Sequence, residues 1–241
     1  MSKIEYRVEN KYLVSDMDLA VLSQRLRLVM QQDIHQDGDC YEIRSVYFDD
    51  IANSCMDEND AGIDNRKKYR IRTYGTENAP INLEIKEKRR GLTKKTGCRL
   101  SLDEYSEIFA GGWELPFGNR QALNQLLLQM RCARMEPKVI IAYERTAFVH
   151  PTGNVRITFD RNIMASKELD SFFDGHISGL VPVLPAGMHV LEVKYDEFLP
   201  DFIARQLELG NLRQTAFSKY YLGRLAMNGV FPMILCGAEK K

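Results

Sequence analysis

The sequence predicts an α+β fold of mainly antiparallel strands, a barrel or sandwich with accompanying helices, organised as one domain over residues 1–241. Three observations predict it. Two-residue alternation of apolar and polar side chains recurs at about 4–14, 42–50, 66–74, 80–88, 95–102, 138–149, 154–160 and 187–195. Between these runs lie stretches with helical spacing, and no linker, repeat or change in composition divides the chain. Eight short strands in one domain fit a barrel or sandwich.

Taken in order, the first strand sets Arg7, Glu9 and Lys11 on one face and Tyr6, Val8 and Tyr12 on the other. Ser15 and Asp16 are cap candidates for a helix with the apolar stripe Leu19, Leu22, Leu26 and Val29. The strand at 42–50 ends in Asp49-Asp50, whose adjacent side chains point to opposite faces and so do not make a metal pair. Asp57–Asp60 reads as a solvated loop. RKKYRIRTY at 66–74 aligns Lys68, Arg70 and Arg72, and INLEIKEK at 81–88 aligns Glu84, Lys86 and Lys88 against Ile81, Leu83 and Ile85. A short helix over 103–110 stops at Gly111-Gly112, and Leu123, Leu126, Leu127 and Met130 mark another. AYERTAF puts Tyr143 in phase with Arg145, VRITFD aligns Arg156, Thr158 and Asp160, and LEVKY aligns Glu192 with Lys194. Leu180–Gly187 is an irregular connection into that last strand, and 200–209 and 216–228 are helical.

Lys+Arg and Asp+Glu balance at 33 each, so affinity for a polyanion has to come from placement and not from total charge. The five scattered cysteines lack CxxC spacing, which argues against a zinc site and a disulfide framework and fits a reducing, cytoplasmic setting. The N-terminus has no apolar segment of a signal peptide, and no apolar run is long enough to span a bilayer. Nucleic-acid binding is disfavoured because aromatic side chains are not interleaved with the cations and net charge is zero.

Six strands repeat a charged phase opposite an apolar one. If they close into one barrel, the helices cover the apolar phase and the charged phase lines the interior. That interior would hold Arg7, Lys11, Lys68, Arg70, Arg72, Lys86, Arg145, Arg156 and Lys194 against three or four acids. So many cations require water or an anion of high charge density, and the fork of arginine and the point charge of lysine suit phosphate. Glu9, Glu84 and Glu192 are candidate ligands for Mg²⁺ or Mn²⁺, hard cations that bridge carboxylates to phosphate oxygens.

RVENKY at 7–12, SVYFDD at 45–50, KYRIRTY at 68–74, LEIKEK at 83–88, AYERTAF at 142–148, VRITFD at 155–160, LEVKY at 191–195 and SKYY at 218–221 resemble, in that order, the VTC domain. This is the polyphosphate polymerase branch of the CYTH-like triphosphate tunnel metalloenzymes. The resemblance implies an eight-stranded antiparallel β-barrel with flanking helices and a cationic tunnel. It also implies that Arg70, Arg72, Lys86, Arg145, Arg156 and Lys194 hold phosphates, with Lys11 and Tyr143 beside them and Lys94 and Lys95 where the family has further basic residues; the phase of the strands adds Arg7, Lys68 and Lys88 as candidate phosphate-binding residues. Ser218 and Lys219 match a C-terminal helix at one tunnel end, and Glu192 matches the metal-binding glutamate. The tunnel triphosphatases have two N-terminal glutamates where this chain has Arg7 and Glu9, which favours transfer to a phosphate over transfer to water. Eukaryotic members carry an SPX domain and transmembrane helices; this chain has neither and looks like the stand-alone prokaryotic type.

The implied activity is metal-dependent transfer of the γ-phosphate of ATP to a growing inorganic polyphosphate. The alternatives are hydrolysis of a triphosphate in the same fold and a non-catalytic polyphosphate-binding module. A terminal phosphate acceptor is already largely ionised near neutral pH, so no general base is needed. The four histidines form no cluster. The chain names no membrane partner.

Overall fold

The computed structural model describes residues 7–34, 36, 38–75, 79–90, 92–111, 118–210 and 212–230. Residues 4–6 of the expected first strand, and His35, Gly112 and Cys236, lie outside the described residues. The chain forms two compact units: Met1–Glu42, Tyr143–Met164 and Pro182–Lys241 make the first, and Ile43–Ala142 with Ala165–Val181 the second.

In the first unit β1 (Val8–Ser15) pairs antiparallel with β10 (Met188–Tyr195), and β10 pairs antiparallel with β8 (Val155–Ser166). β7 (Glu136–His150) comes next in the hydrogen-bonded order. The two-residue strands β2 (Gln31–Gln32) and β9 (Val181–Pro182) pair with β7 and β8. Helix α1 (Asp16–Arg27) begins at a capping box: Asp18 N donates to Ser15 Oγ, and Ser15 N donates to the Asp18 carboxylate. Its Leu22 and Leu26, with Ile203 of α5 (Asp201–Gln206), pack on Val14, Phe148, Val155, Ile157, Phe159, Leu191 and Val193. Those strand residues all belong to one phase. Alternation therefore puts Glu9, Lys11, Tyr143, Arg145, Arg156, Thr158, Asp160, Glu192 and Lys194 on the face opposite the helices.

The second unit contains most of β3 (Tyr41–Asp49), followed by β4 (Arg66–Tyr74), β5 (Ile81–Arg89) and β6 (Leu92–Leu100) as an antiparallel meander. Residues 136–142 of β7 also belong to this unit, and β7 is next to β3 in the order. Ile71, Leu83 and Ile85 are buried on the apolar phase. Tyr69 shares that phase; burial pushes its phenol up to about 12, against a hydrogen bond with Gln125 of α4 (Gln121–Cys132). Helix α3 (Leu102–Ala110) is capped by Ser101 and ends at Gly111 in the left-handed region, φ 75°.

Two readings need correction. Asp57–Asp60 is not a loop; it belongs to helix α2 (Ser54–Asp60). The reason lies just upstream: the Asp49 carboxylate accepts from the backbone N–H groups of Asp50, Cys55 and Met56, and Asp50 accepts from that of Ser54. The Asp49-Asp50 pair is thus spent on starting a helix. β8 also runs beyond the expected 160 to Ser166.

Gly97 of β6 stands opposite Glu84, and a Cβ there would lie 2.7 Å from the backbone oxygen of Leu83. Gly97→Ala is therefore expected to push β5 and β6 apart and to lower stability by about 1–3 kcal/mol, read as a lower urea midpoint.

Candidate functional site

The register of β4, β5 and β6 sorts the polar phase of the second unit into rows. Arg66 faces Lys88; Lys68, Lys86 and Lys95 stand side by side; Arg70 faces Glu84; Arg72 faces Asn82, which faces Arg99. Across β4, β5 and β6 this face carries Arg66, Lys68, Arg70, Arg72, Lys86, Lys88, Lys95 and Arg99, eight cations, against the carboxylate of Glu84, while Asp49 of β3, in the same phase, gives its carboxylate to backbone N–H groups. Like charges directly across strands oppose folding, so the lysine row stores unfavourable potential that a bound anion would relieve.

Glu84 is the hub of this face. Arg70 donates to its Oε2 through Nε (2.8 Å) and Nη2 (2.6 Å), Lys95 Nζ lies 2.5 Å from Oε1, and Arg72 lies 3.9 Å away. Burial would raise the Glu84 carboxyl, but the charges of Arg70, Arg72 and Lys95 outweigh it and hold the group well below the usual carboxylate range. Tyr47 accepts from Arg70 Nη1 (2.9 Å) and Ser45 from Arg72 Nε (3.2 Å), so both guanidiniums are fixed in direction. Cations stand within 2.8 Å of both Glu84 oxygens, closer than any stands to Glu9 or Glu192, so of the three expected metal ligands Glu84 is the least open to a metal. Its carboxylate fixes the direction of the Arg70 guanidinium.

Adjacent residues on β6 point to opposite faces, so only one of the expected pair Lys94 and Lys95 joins this cluster. Lys95 does; Lys94 stands opposite Glu87 on the other phase. Lys68 donates to Asn59 of α2 (2.7 Å).

The charged face of the first unit is built differently. β1 and β10 each carry Glu-x-Lys, and their antiparallel register sets Glu9 opposite Lys194 and Lys11 opposite Glu192. The outcome is a square of alternating charge. Lys11 Nζ lies 3.3 Å from Glu9 and 3.9 Å from Glu192, and Lys194 Nζ lies 3.3 Å from Glu192 and 3.7 Å from Glu9. Lys11 also donates to the carbonyl of Phe217 (3.0 Å), just ahead of α6 (Lys219–Ala226).

Beside the square, Arg145 grips Asp160 with two hydrogen bonds, Nε to Oδ1 (2.6 Å) and Nη2 to Oδ2 (2.8 Å), and reaches Glu192 at 3.7 Å. Lys219 Nζ closes on Asp160 at 2.5 Å. Burial would raise the Asp160 carboxyl, yet the Arg145 and Lys219 charges hold it at about 2. Burial likewise opposes the Arg145 cation, but Asp160 outweighs it and holds that group well above its ordinary value. The ring of Tyr143 underlies both cations, 5.3 Å from Arg145 and 4.8 Å from Lys219. Ser218 caps α6 by accepting from Tyr221 N.

Arg156 pairs with Asp33 and donates to Tyr41 (3.1 Å). Burial raises the Tyr41 phenol despite the nearby Arg145 and Arg156 charges, so the hydroxyl stays protonated. Arg7, expected among the phosphate-binding residues, is instead tied at the end of the strands to Asp196 (2.8 Å) and to the carbonyl of Asn154. The sequence reading did not find Asp33, Tyr41, Ser45 and Tyr47, because only the register and the return of a loop reveal them. It also left out Arg66 and Arg99, although their spacing was visible.

Among the described residues no group of three or more His, Cys, Asp and Glu side chains is placed to hold a metal. Mg²⁺ commonly binds through one or two carboxylates plus substrate phosphates, and Glu9 with Glu192 fits that mode. Such an ion would arrive with its phosphate ligand and not as a resident of an all-protein cage.

The structure was compared with known proteins. It is similar to the Hippeastrum protein HpAC1, assigned as an adenylyl cyclase and reported to have a dominant triphosphatase activity, with a TM-score of 0.53 and 15% identity over 95% of this chain and 97% of that one. A Bacillus halodurans protein assigned as an adenylate cyclase gives a TM-score of 0.53 and 15% identity, covering 89% and 94%. The Pyrococcus horikoshii protein PH1819 gives 0.50 and 14%, covering 91% and 99%. These likenesses carry the fold, and the expected α+β antiparallel barrel with flanking helices is borne out. A search of the curated proteins found no match. The family model for the VTC domain matches residues 6–228, across both units, and the chain belongs to the VTC domain family.

Proposed function

We propose that this chain is a polyphosphate polymerase that transfers the γ-phosphate of ATP to the end of a growing inorganic polyphosphate. The observation that carries the proposal is the face of eight cations around Glu84 on β4, β5 and β6 of the second unit, which includes three lysines abreast. Such a face is complementary to a row of phosphates and to little else. Arg70, Arg72, Lys86 and Lys95 bind phosphoryl oxygens there, with Glu84 holding the arginines in place. The first unit has phosphate-binding cations of its own in Arg145, Arg156, Lys194, Lys11 and Lys219. When bound, Mn²⁺ or Mg²⁺ would be held by Glu192 and Glu9 and would supply further neutralisation of phosphate charge.

The bond between the β,γ-bridging oxygen and the γ-phosphorus breaks, a bond from the terminal acceptor oxygen to that phosphorus forms, and ADP leaves. This chemistry asks for position and charge neutralisation and needs no protein nucleophile. Among the described residues no helix is long and apolar enough to cross a membrane. We place the activity in the cytoplasm, where ATP is abundant.

Hydrolysis is the second reading, and the triphosphatase activity reported for the Hippeastrum protein of similar fold favours keeping it. Incubation with ATP and Mn²⁺, followed by a gel stained for polyphosphate, separates the two. Long chains support the polymerase, whereas orthophosphate without chains would assign a hydrolase. Tight polyphosphate binding without ATP turnover would reduce the chain to a binding module.

A further inference from the structure

Thr158 lies on β8 between Arg156 and Asp160 in the same phase, directly opposite Glu192 on β10. Its residue is 2% exposed, and its hydroxyl has no hydrogen-bond partner among the protein groups. Every charged neighbour on that face is engaged elsewhere. Arg156 serves Asp33 and Tyr41, Asp160 serves Arg145 and Lys219, and Glu192 is shared by Lys11, Lys194 and Arg145.

A buried hydroxyl left unmatched works against folding, and nine in ten buried polar groups avoid it. Valine has nearly the same shape without the penalty, and the strand's other phase already uses valine and isoleucine at Val155 and Ile157. The hydroxyl is therefore kept at a cost to the ligand-free fold, on the face where phosphate is expected. A threonine O–H is a neutral donor, well suited to a phosphoryl oxygen among groups whose own hydrogen bonds are already committed.

We infer that Thr158 is a phosphate-binding residue of this site, its Oγ1 donating a hydrogen bond to a phosphoryl oxygen of the bound triphosphate or polyphosphate. This rests on the proposed function only so far as the first unit binds phosphate. The interaction adds to the charge-based grip a contact with one direction and one reach, which charge alone does not supply.

The test is calorimetric titration of inorganic tripolyphosphate into the full chain without metal, alongside thermal melting of the free protein. Thr158→Val is expected to melt at or above the wild-type temperature while binding tripolyphosphate about ten-fold or more weakly. Thr158→Ser, which keeps the hydroxyl, should bind within about two-fold of wild type, and Thr158→Ala should weaken binding as valine does. Wild-type affinity in both Thr158→Val and Thr158→Ala would overturn the assignment and leave the hydroxyl a structural or water-bound group, with the proposed function untouched. Failure of the wild-type chain itself to bind tripolyphosphate would overturn both.

Discussion

Replacing Arg145 with methionine is expected to destabilise the folded chain by about 3 kcal/mol, the lower end of the range for breaking a buried ion pair. Asp160 is fully buried and gives both oxygens to Arg145. Removing the guanidinium leaves that carboxylate with Lys219 at 2.5 Å, which is why the loss is not larger. The double variant Arg145→Met with Asp160→Leu should recover much of the stability, because it removes the unpaired charge along with the pair. Urea unfolding of the three proteins checks this, and a single-variant loss below about 1 kcal/mol would show that the pair does not support the fold.

The pH dependence has a definite sign. The Asp160 carboxyl is held at about 2, below its ordinary value of 3.8, so its contribution is complete above about pH 4 and disappears as pH falls toward 2. In Arg145→Met the carboxyl loses its strongest cation and rises, so acid unfolding should begin at higher pH. The same variant should also lose ATP turnover, since Arg145 is the cation that touches both Asp160 and Glu192.

Period-two alternation made the strands legible, and β4 begins and ends where the pattern does, at Arg66 and Tyr74. Which side the charges of β4 and β5 take was legible for the same reason. What alternation does not contain is register. Glu9-x-Lys11 and Glu192-x-Lys194 look like two copies of one motif, and nothing in either says that Glu9 will meet Lys194 and build a square of alternating sign. Read as a pool, the charges implied a uniform excess of cations. The structure sorts them instead: the first unit balances its cations with Glu9, Asp33, Asp160 and Glu192, and strands β4, β5 and β6 of the second set eight cations on the face that carries Glu84. Asp33 and Tyr41 come from the segment after α1, where no periodicity announces a partner for Arg156. Asp57–Asp60 was misread because acidity was weighed and the cap supplied by Asp49 was not.

Glu192→Gln is expected to separate binding from chemistry. The substitution keeps the side chain's volume and removes one negative charge from the square, leaving Lys11 and Lys194 with Glu9 at 3.3 and 3.7 Å and Arg145 with Asp160. The fold should therefore survive, with a melting temperature near wild type. The face becomes more positive by one charge, so metal-free affinity for tripolyphosphate should stay level or tighten. Turnover of ATP with Mn²⁺ should fall by about 100-fold or more, because an amide is a far weaker ligand for a hard cation than a carboxylate. A second readout does not depend on turnover: Mn²⁺ added with tripolyphosphate should raise the melting temperature of wild type beyond tripolyphosphate alone and should do so much less in the variant. Full turnover in Glu192→Gln would remove Glu192 from the metal. Equal loss of turnover and of metal-free binding would instead make it a residue that positions Lys11, Lys194 and Arg145, and the square would then serve anion binding alone. The expected split, with binding kept and turnover lost, follows only if the carboxylates of the first unit recruit a cation while the lysines and arginines around them hold the phosphate.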